Sequence, residues 1–141
     1  MRLSTKGRYG LKAIISIGAN EENGPVSLKY VAESEGISEA YLEQLVALLK
    51  KGGLIVSTRG AKGGYKLAKE PNELIVGNIL KVLEGSINVV ECISDDGKCE
   101  CNAINSCSTK LVWEKVTEAI NNVVNNMTLK ELIDDYKEGR S

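Results

Sequence analysis

The stretch from Ser27 to Leu67 constrains this chain most, because its apolar spacing changes there from helical to strand-like. Between Leu28 and Lys51 the residues Val31, Leu42, Leu45, Val46 and Leu49 keep a helical period that is interrupted once, at Gly36-Ile37-Ser38. That pattern predicts two helices meeting at a short turn. Gly36 supplies the left-handed conformation such a turn needs, Ala32 is small enough for the helices to approach, and Leu42 and Leu45 point the second helix back at the first. Ser27 and Ser38 are the expected N-caps. After Gly52-Gly53 the run Leu54-Ile55-Val56-Ser57-Thr58 suits a strand, Arg59-Gly60-Ala61-Lys62-Gly63-Gly64 a turn carrying two cations, and Tyr65-Lys66-Leu67 the returning strand.

A helix-turn-helix followed by a hairpin wing is a DNA-reading arrangement, with the N-terminal part of the second helix meeting base edges. Glu39, Ala40, Glu43 and Gln44 fall on the outer face of that part. The expected DNA-binding set is Ser38, Ala40, Tyr41, Glu43, Gln44, Lys50, Arg59 and Lys62. Lys50 and Lys51 stand where the second helix would meet the backbone.

Net charge agrees with this only when the chain is divided. Lys and Arg total 18 against 19 Asp and Glu, and a pI near 5.6 does not mark a nucleic-acid binder. Residues 1–70, however, hold 11 basic and 7 acidic residues, net +4, and residues 71–141 hold 7 and 12, net −5. The basic half contains the motif. At 141 residues and 43% hydrophobic content one core is expected, without room for a second large domain. No apolar run is long enough to span a bilayer, and Met1-Arg2-Leu3-Ser4 lacks the apolar core of a signal peptide, so a cytoplasmic location is expected.

Along the chain, Leu11, Ile14, Ile15 and Gly18 define a first helix from Ser4 to about Asn20, with Arg2, Lys6, Arg8 and Lys12 on other faces. Past the wing, Val76, Ile79, Leu80 and Leu83 make an amphipathic helix that Gly85 closes. From about Ser108 to Met127 a wide apolar stripe, Trp113, Val116, Ile120, Val123 and Met127 flanked by Val112, Ala119 and Val124, calls for a partner helix. A homodimer on a palindromic operator is the expected assembly. Thr128-Leu129-Lys130-Glu131 is a capping box opening a last helix with Leu129, Leu132, Ile133 and Tyr136.

Residues 86–108 show no sustained periodicity and contain Cys92, Cys99, Cys101 and Cys107. In a reducing compartment four thiols within sixteen residues point to metal binding or redox sensing. The intervals of six, one and five residues match neither a zinc knuckle nor a ferredoxin pattern. Spacing alone therefore leaves the nature of the site open. Cys107 lies near the start of the long helix, where the helix dipole favours a thiolate. With no histidine and no C-x-x-C, a thiol enzyme lacks a means of activating its nucleophile, so no enzyme is expected.

Three segments also carry a resemblance: Arg2-Leu3-Ser4-Thr5-Lys6-Gly7-Arg8-Tyr9-Gly10, Ile37-Ser38-Glu39-Ala40-Tyr41-Leu42-Glu43-Gln44-Leu45, and Arg59-Gly60-Ala61-Lys62-Gly63-Gly64-Tyr65-Lys66-Leu67. Together they resemble the Rrf-two family of bacterial winged-helix transcription regulators. The resemblance implies a mainly α fold with a small β-hairpin, and a long helix that crosses to a second protomer. The organisation expected is a winged helix-turn-helix domain over residues 1–85, a cofactor segment over 86–108, and a dimerisation helix with a C-terminal helix over 109–141.

The resemblance also implies a cofactor. Iron-sulfur members hold a cluster with three cysteines, which Cys92, Cys101 and Cys107 match best, and a 2Fe-2S type is expected. The interval before Cys101 is longer than in those members. Their histidine ligand falls at Lys110 here, and an acidic or histidine ligand that others recruit near position 8 of the partner subunit is replaced by Arg8. Cys99 is the expected substitute, with Glu91 and Glu100 as further candidates. Other members repress genes of cysteine metabolism under the control of a cysteine-synthesis enzyme, without a cluster. Two modes of control, a cluster or a partner enzyme, are thus the alternatives.

Overall fold

The structure, a computed structural model, describes residues 4–85 and 109–139. Six helices and one hairpin follow in the order α1 (Thr5–Asn20), α2 (Leu28–Glu35), α3 (Glu39–Lys51), β1 (Ile55–Thr58), β2 (Gly64–Leu67), α4 (Val76–Glu84), α5 (Lys110–Val124) and α6 (Leu129–Gly139). Single 3-10 turns at Glu21–Asn23 and Pro71–Glu73 join α1 to α2 and β2 to α4.

Helix α1 runs through the middle and packs against α3, α4 and α6. Its Ala13, Ile14 and Ile17 are fully buried with Leu42, Leu45, Leu49, Ile55, Ile79 and Leu129 in one core. Each large aliphatic side chain so buried contributes about 1.5 to 3 kcal/mol. An exposed ion pair such as Lys137–Glu22 contributes about 0 to 1 kcal/mol, so burial and not surface charge decides the fold.

The helix pair forms as its residues require. The Ser27 hydroxyl accepts from the Tyr30 amide at 3.1 Å and the Ser38 hydroxyl from the Tyr41 amide at 3.2 Å, each satisfying one orphan donor of a helix start. Gly36 closes α2 in the left-handed region, φ 67° and ψ 36°, and the Ile37 amide reaches back to the Ala32 carbonyl at 3.1 Å. That reversal puts Ile37 into the core and sends α3 across α2.

In the wing, β1 and β2 pair antiparallel with Ile55 opposite Leu67 and Thr58 opposite Gly64. A third short piece joins them. Val26 exchanges two backbone hydrogen bonds with Tyr65, at 2.9 and 2.8 Å, so the wing is stitched to the residue just ahead of α2. One valine after Pro25 gives no alternation to read, and sequence reasoning did not include it.

Helix α5 stops at Val124, three residues short of the expected Met127. The chain must extend there, because the Met127 carbonyl accepts from the Val76 amide at 2.9 Å and the Leu129 amide donates to the Leu74 carbonyl at 2.8 Å. The capping box then starts α6, with the Thr128 amide on Glu131 at 2.8 Å and the Glu131 amide on the Thr128 hydroxyl at 3.4 Å. Helix α6 returns into the same core as α1 through Leu129 and Ile133.

Candidate nucleic-acid interface

Helix α3 is amphipathic, with one side in the core and the other in solvent. Leu42, Leu45, Val46 and Leu49 are buried, so the opposite side, with Ser38, Glu39, Ala40, Glu43, Gln44, Ala47 and Lys50, stands in solvent. Glu39 in the first turn and Lys50 and Lys51 in the last both suit the helix dipole, and the two lysines put positive charge where the helix ends. Glu43 and Gln44 can accept from or pair with base edges, while Ser38 and Lys50 suit phosphates.

Tyr41 belongs to the expected set but is turned elsewhere. Its ring meets Tyr9 edge to face, centroids 6.2 Å apart at 84°, and its hydroxyl donates to the Thr5 hydroxyl at 3.1 Å. Half-buried, it joins α3 to the start of α1. Arg8 and Lys12 lie 5.8 and 5.4 Å from the centre of the Tyr9 ring, near enough for a cation–π attraction, and both remain exposed. Helical periodicity carries no sign of this cluster, since Tyr9 and Tyr41 are brought together only by the packing of α1 on α3.

The wing turn holds Arg59 and Lys62 exposed, with the Gly63 amide closing the turn on the Gly60 carbonyl at 3.0 Å. Lys62 also borders an open groove of about 600 Å³ between the wing and the α1–α2 connection, beside Asn23, Ser27 and Tyr30. Reading helix, wing cations and the cations of early α1 are therefore all exposed in the half of the chain with net positive charge.

Cys92, Cys99, Cys101 and Cys107, with Glu91 and Glu100, lie outside the described residues. Among the described residues there is no group of three or more His, Cys, Asp or Glu that could hold a metal ion. Two positions where the family resemblance implies a further ligand are described. Lys110 opens α5 and pairs with Glu114 at 3.9 Å, and Arg8 lies by Tyr9; both are cations.

Helix α5 carries two apolar faces rather than one stripe. Ile120, Val124 and, beyond the helix, Met127 pack on Val76 and Leu80 of α4. At 3.6 residues per turn Val112, Val116, Ala119 and Val123 share another face within about 60°. Val112 and Val123 are 52% and 60% exposed there.

A winged helix-turn-helix whose reading helix and wing cations face solvent defines a DNA-binding regulator. The chain belongs to the Rrf2 family, described as iron-dependent transcriptional regulators, whose model matches residues 3–135. Over 137 residues it is 38% identical to the HTH-type transcriptional regulator IscR of Cronobacter sakazakii, covering 97% of this chain and 83% of the relative. Among solved structures it resembles T. potens IscR, with a TM-score of 0.77 and 44% identity over 100% of this chain and 92% of that one. It equally resembles CymR, the global cysteine regulator of B. subtilis, with a TM-score of 0.79 and 39% identity over 95% and 97%. The protein is a transcription regulator and not an enzyme. No helix among the described residues is long and apolar enough to cross a membrane.

Proposed function

We propose that the chain is a homodimeric repressor that reads a palindromic operator with α3 and the wing, and that an iron-sulfur cluster held by Cys92, Cys99, Cys101 and Cys107 sets its affinity. The exposed outer face of α3 carries this reading: seven side chains there have no core to serve, and the wing cations stand exposed as well. Glu43 and Gln44 read bases, Ser38, Lys50 and Lys62 hold phosphates, and Arg59 enters the minor groove or meets its phosphates. Dimerisation through the outer face of α5 is supported by the exposure of Val112 and Val123, since few soluble chains leave such a stripe in water.

The donor chemistry of residues 86–108 fits a cluster. Four thiolates are the usual iron-sulfur ligands, and the two non-cysteine positions that the family offers are cations here, which favours Cys99 as the fourth ligand. A bound cluster would fix the thiolates in one arrangement, and its loss would leave them to repel. The test is anaerobic purification with visible absorption and iron and sulfide analysis. Brown protein with equimolar iron and sulfide is expected, and a colourless protein free of iron would end the cluster reading. In that event the likeness to CymR favours a second reading, control by a cysteine-synthesis enzyme as partner.

A further inference from the structure

Helix α1 lacks a local cap. Ser4 stands at the N-cap position, yet its hydroxyl caps nothing in α1, and the first turn contains no acidic residue. The acceptor comes instead from the last residue of α4. The Glu84 carboxylate accepts from the Gly7 amide at 2.8 Å, from the Ser4 amide at 3.3 Å and from the Ser4 hydroxyl. A carboxylate at this end also meets the positive pole of the helix dipole. The two elements approach closely: a Cβ on Gly7 would lie 2.7 Å from Glu84 Oε1, and one on Gly10 would collide with the Leu83 side chain. The end of α4 and the first turn of α1 are thus built to touch.

The same turn of α1 touches the reading helix. Thr5 accepts the Tyr41 hydroxyl, and Tyr9, one turn on, meets the Tyr41 ring. Tyr41 is flanked in sequence by Ala40 and by Leu42 and Glu43, and its amide is the one that Ser38 caps. Glu84, the start of α1 and the reading end of α3 therefore form one continuous contact path. No other described contact holds the Tyr41 hydroxyl.

We infer that Glu84 is a positioning residue for sequence recognition: by capping α1 it holds Thr5 and Tyr9 against Tyr41, and so sets the angle at which Glu43 and Gln44 meet bases. Glu84 itself touches no DNA in this scheme. The inference rests on α3 being the reading helix. Its signature is loss of discrimination, because phosphate contacts from the wing and from Lys50 tolerate a small tilt of α3 and bidentate base contacts do not.

The test uses the full chain and two duplex probes: one enriched by the wild-type chain from a random-sequence pool, and one of the same composition with its sequence shuffled. Glu84→Ala and Tyr41→Phe should each weaken binding of the enriched duplex about 2- to 30-fold while leaving the shuffled duplex unchanged, the range expected of residues that couple without touching ligand. The double variant should be no weaker than Glu84→Ala, because both changes break one path. Circular dichroism must show native helix content; should Glu84→Ala lose it, Tyr41→Phe carries the test with the same expected split, and Glu84→Gln, which keeps an acceptor for Gly7, should bind both duplexes like the wild-type chain. Unchanged binding of the enriched duplex by Glu84→Ala or Tyr41→Phe, equal loss on both probes, or multiplicative losses in the double variant would each overturn the inference. Failure of the wild-type chain to enrich any sequence, or enrichment that Glu43→Ala and Gln44→Ala leave unaltered, would instead overturn the assignment of α3 as the reading helix.

Discussion

The Tyr136 hydroxyl donates a 3.1 Å hydrogen bond to the Glu35 carboxylate, joining residues 101 positions apart. It ties the last helix of the chain to the last turn of α2, the first helix of the helix-turn-helix. Burial raises the pKa of this phenol above its ordinary 10.0, and the neighbouring Glu35 charge raises it further. The neutral phenol is therefore favoured by folding. The stability it contributes is present below about pH 10 and is lost as pH rises through the raised value, because the unfolded chain ionises first. Tyr136→Phe should cost about 1 kcal/mol at neutral pH, and its deficit against wild type should shrink above about pH 10. Urea denaturation of both proteins at the two pH values measures this, and a deficit that stays constant would refute the assignment.

The division of labour between α3 and the wing has its own signature. Glu43→Ala should broaden sequence preference, with a discrimination loss of about 1 to 3 kcal/mol at one base pair, because a carboxylate acceptor suits cytosine. Arg59→Ala should weaken binding and lower its salt dependence, since it removes a cation from the wing. Equal losses on all sequences for both variants would count against this assignment.

Val112 and Val123 lie eleven residues apart on one face of α5 and are exposed in the single chain. Val112→Asp with Val123→Asp should leave the fold of the monomer intact, since neither residue belongs to the core, and should separate the protomers. Sedimentation of the double variant decides it: a persistent dimer would place the interface elsewhere.

Removal of the cluster proposed for Cys92, Cys99, Cys101 and Cys107 should change operator affinity by about 5- to 150-fold, the span of ordinary site-to-site coupling. Wild type with and without cluster, and Cys92→Ala, Cys101→Ala and Cys107→Ala, would be compared on the same duplexes under anaerobic conditions. The cysteine variants should lack visible absorption and behave like the cluster-free protein. Identical affinities throughout would remove the cysteine segment from the sensing mechanism.

Sequence alone determined whatever depends on local periodicity and local capping. The two helices around Gly36, the serine caps at Ser27 and Ser38, the hairpin from Ile55 to Leu67 and the Thr128–Glu131 box are all present, because each is specified by residues within a few positions of one another. The outer face of α3 was legible for the same reason: burying Leu42, Leu45 and Leu49 leaves Glu43 and Gln44 only one way to point. Tertiary structure decided what joins distant residues. It ended α5 at Val124 to pair Met127 with Val76 and Leu129 with Leu74, split the apolar residues of α5 between α4 and solvent, and turned Tyr41 inward onto Thr5 and Tyr9. It also supplied Glu84 as the cap that α1 does not carry. Such contacts span up to about a hundred residues of chain and are specified by how faces fit together, so no window of neighbouring residues contains them.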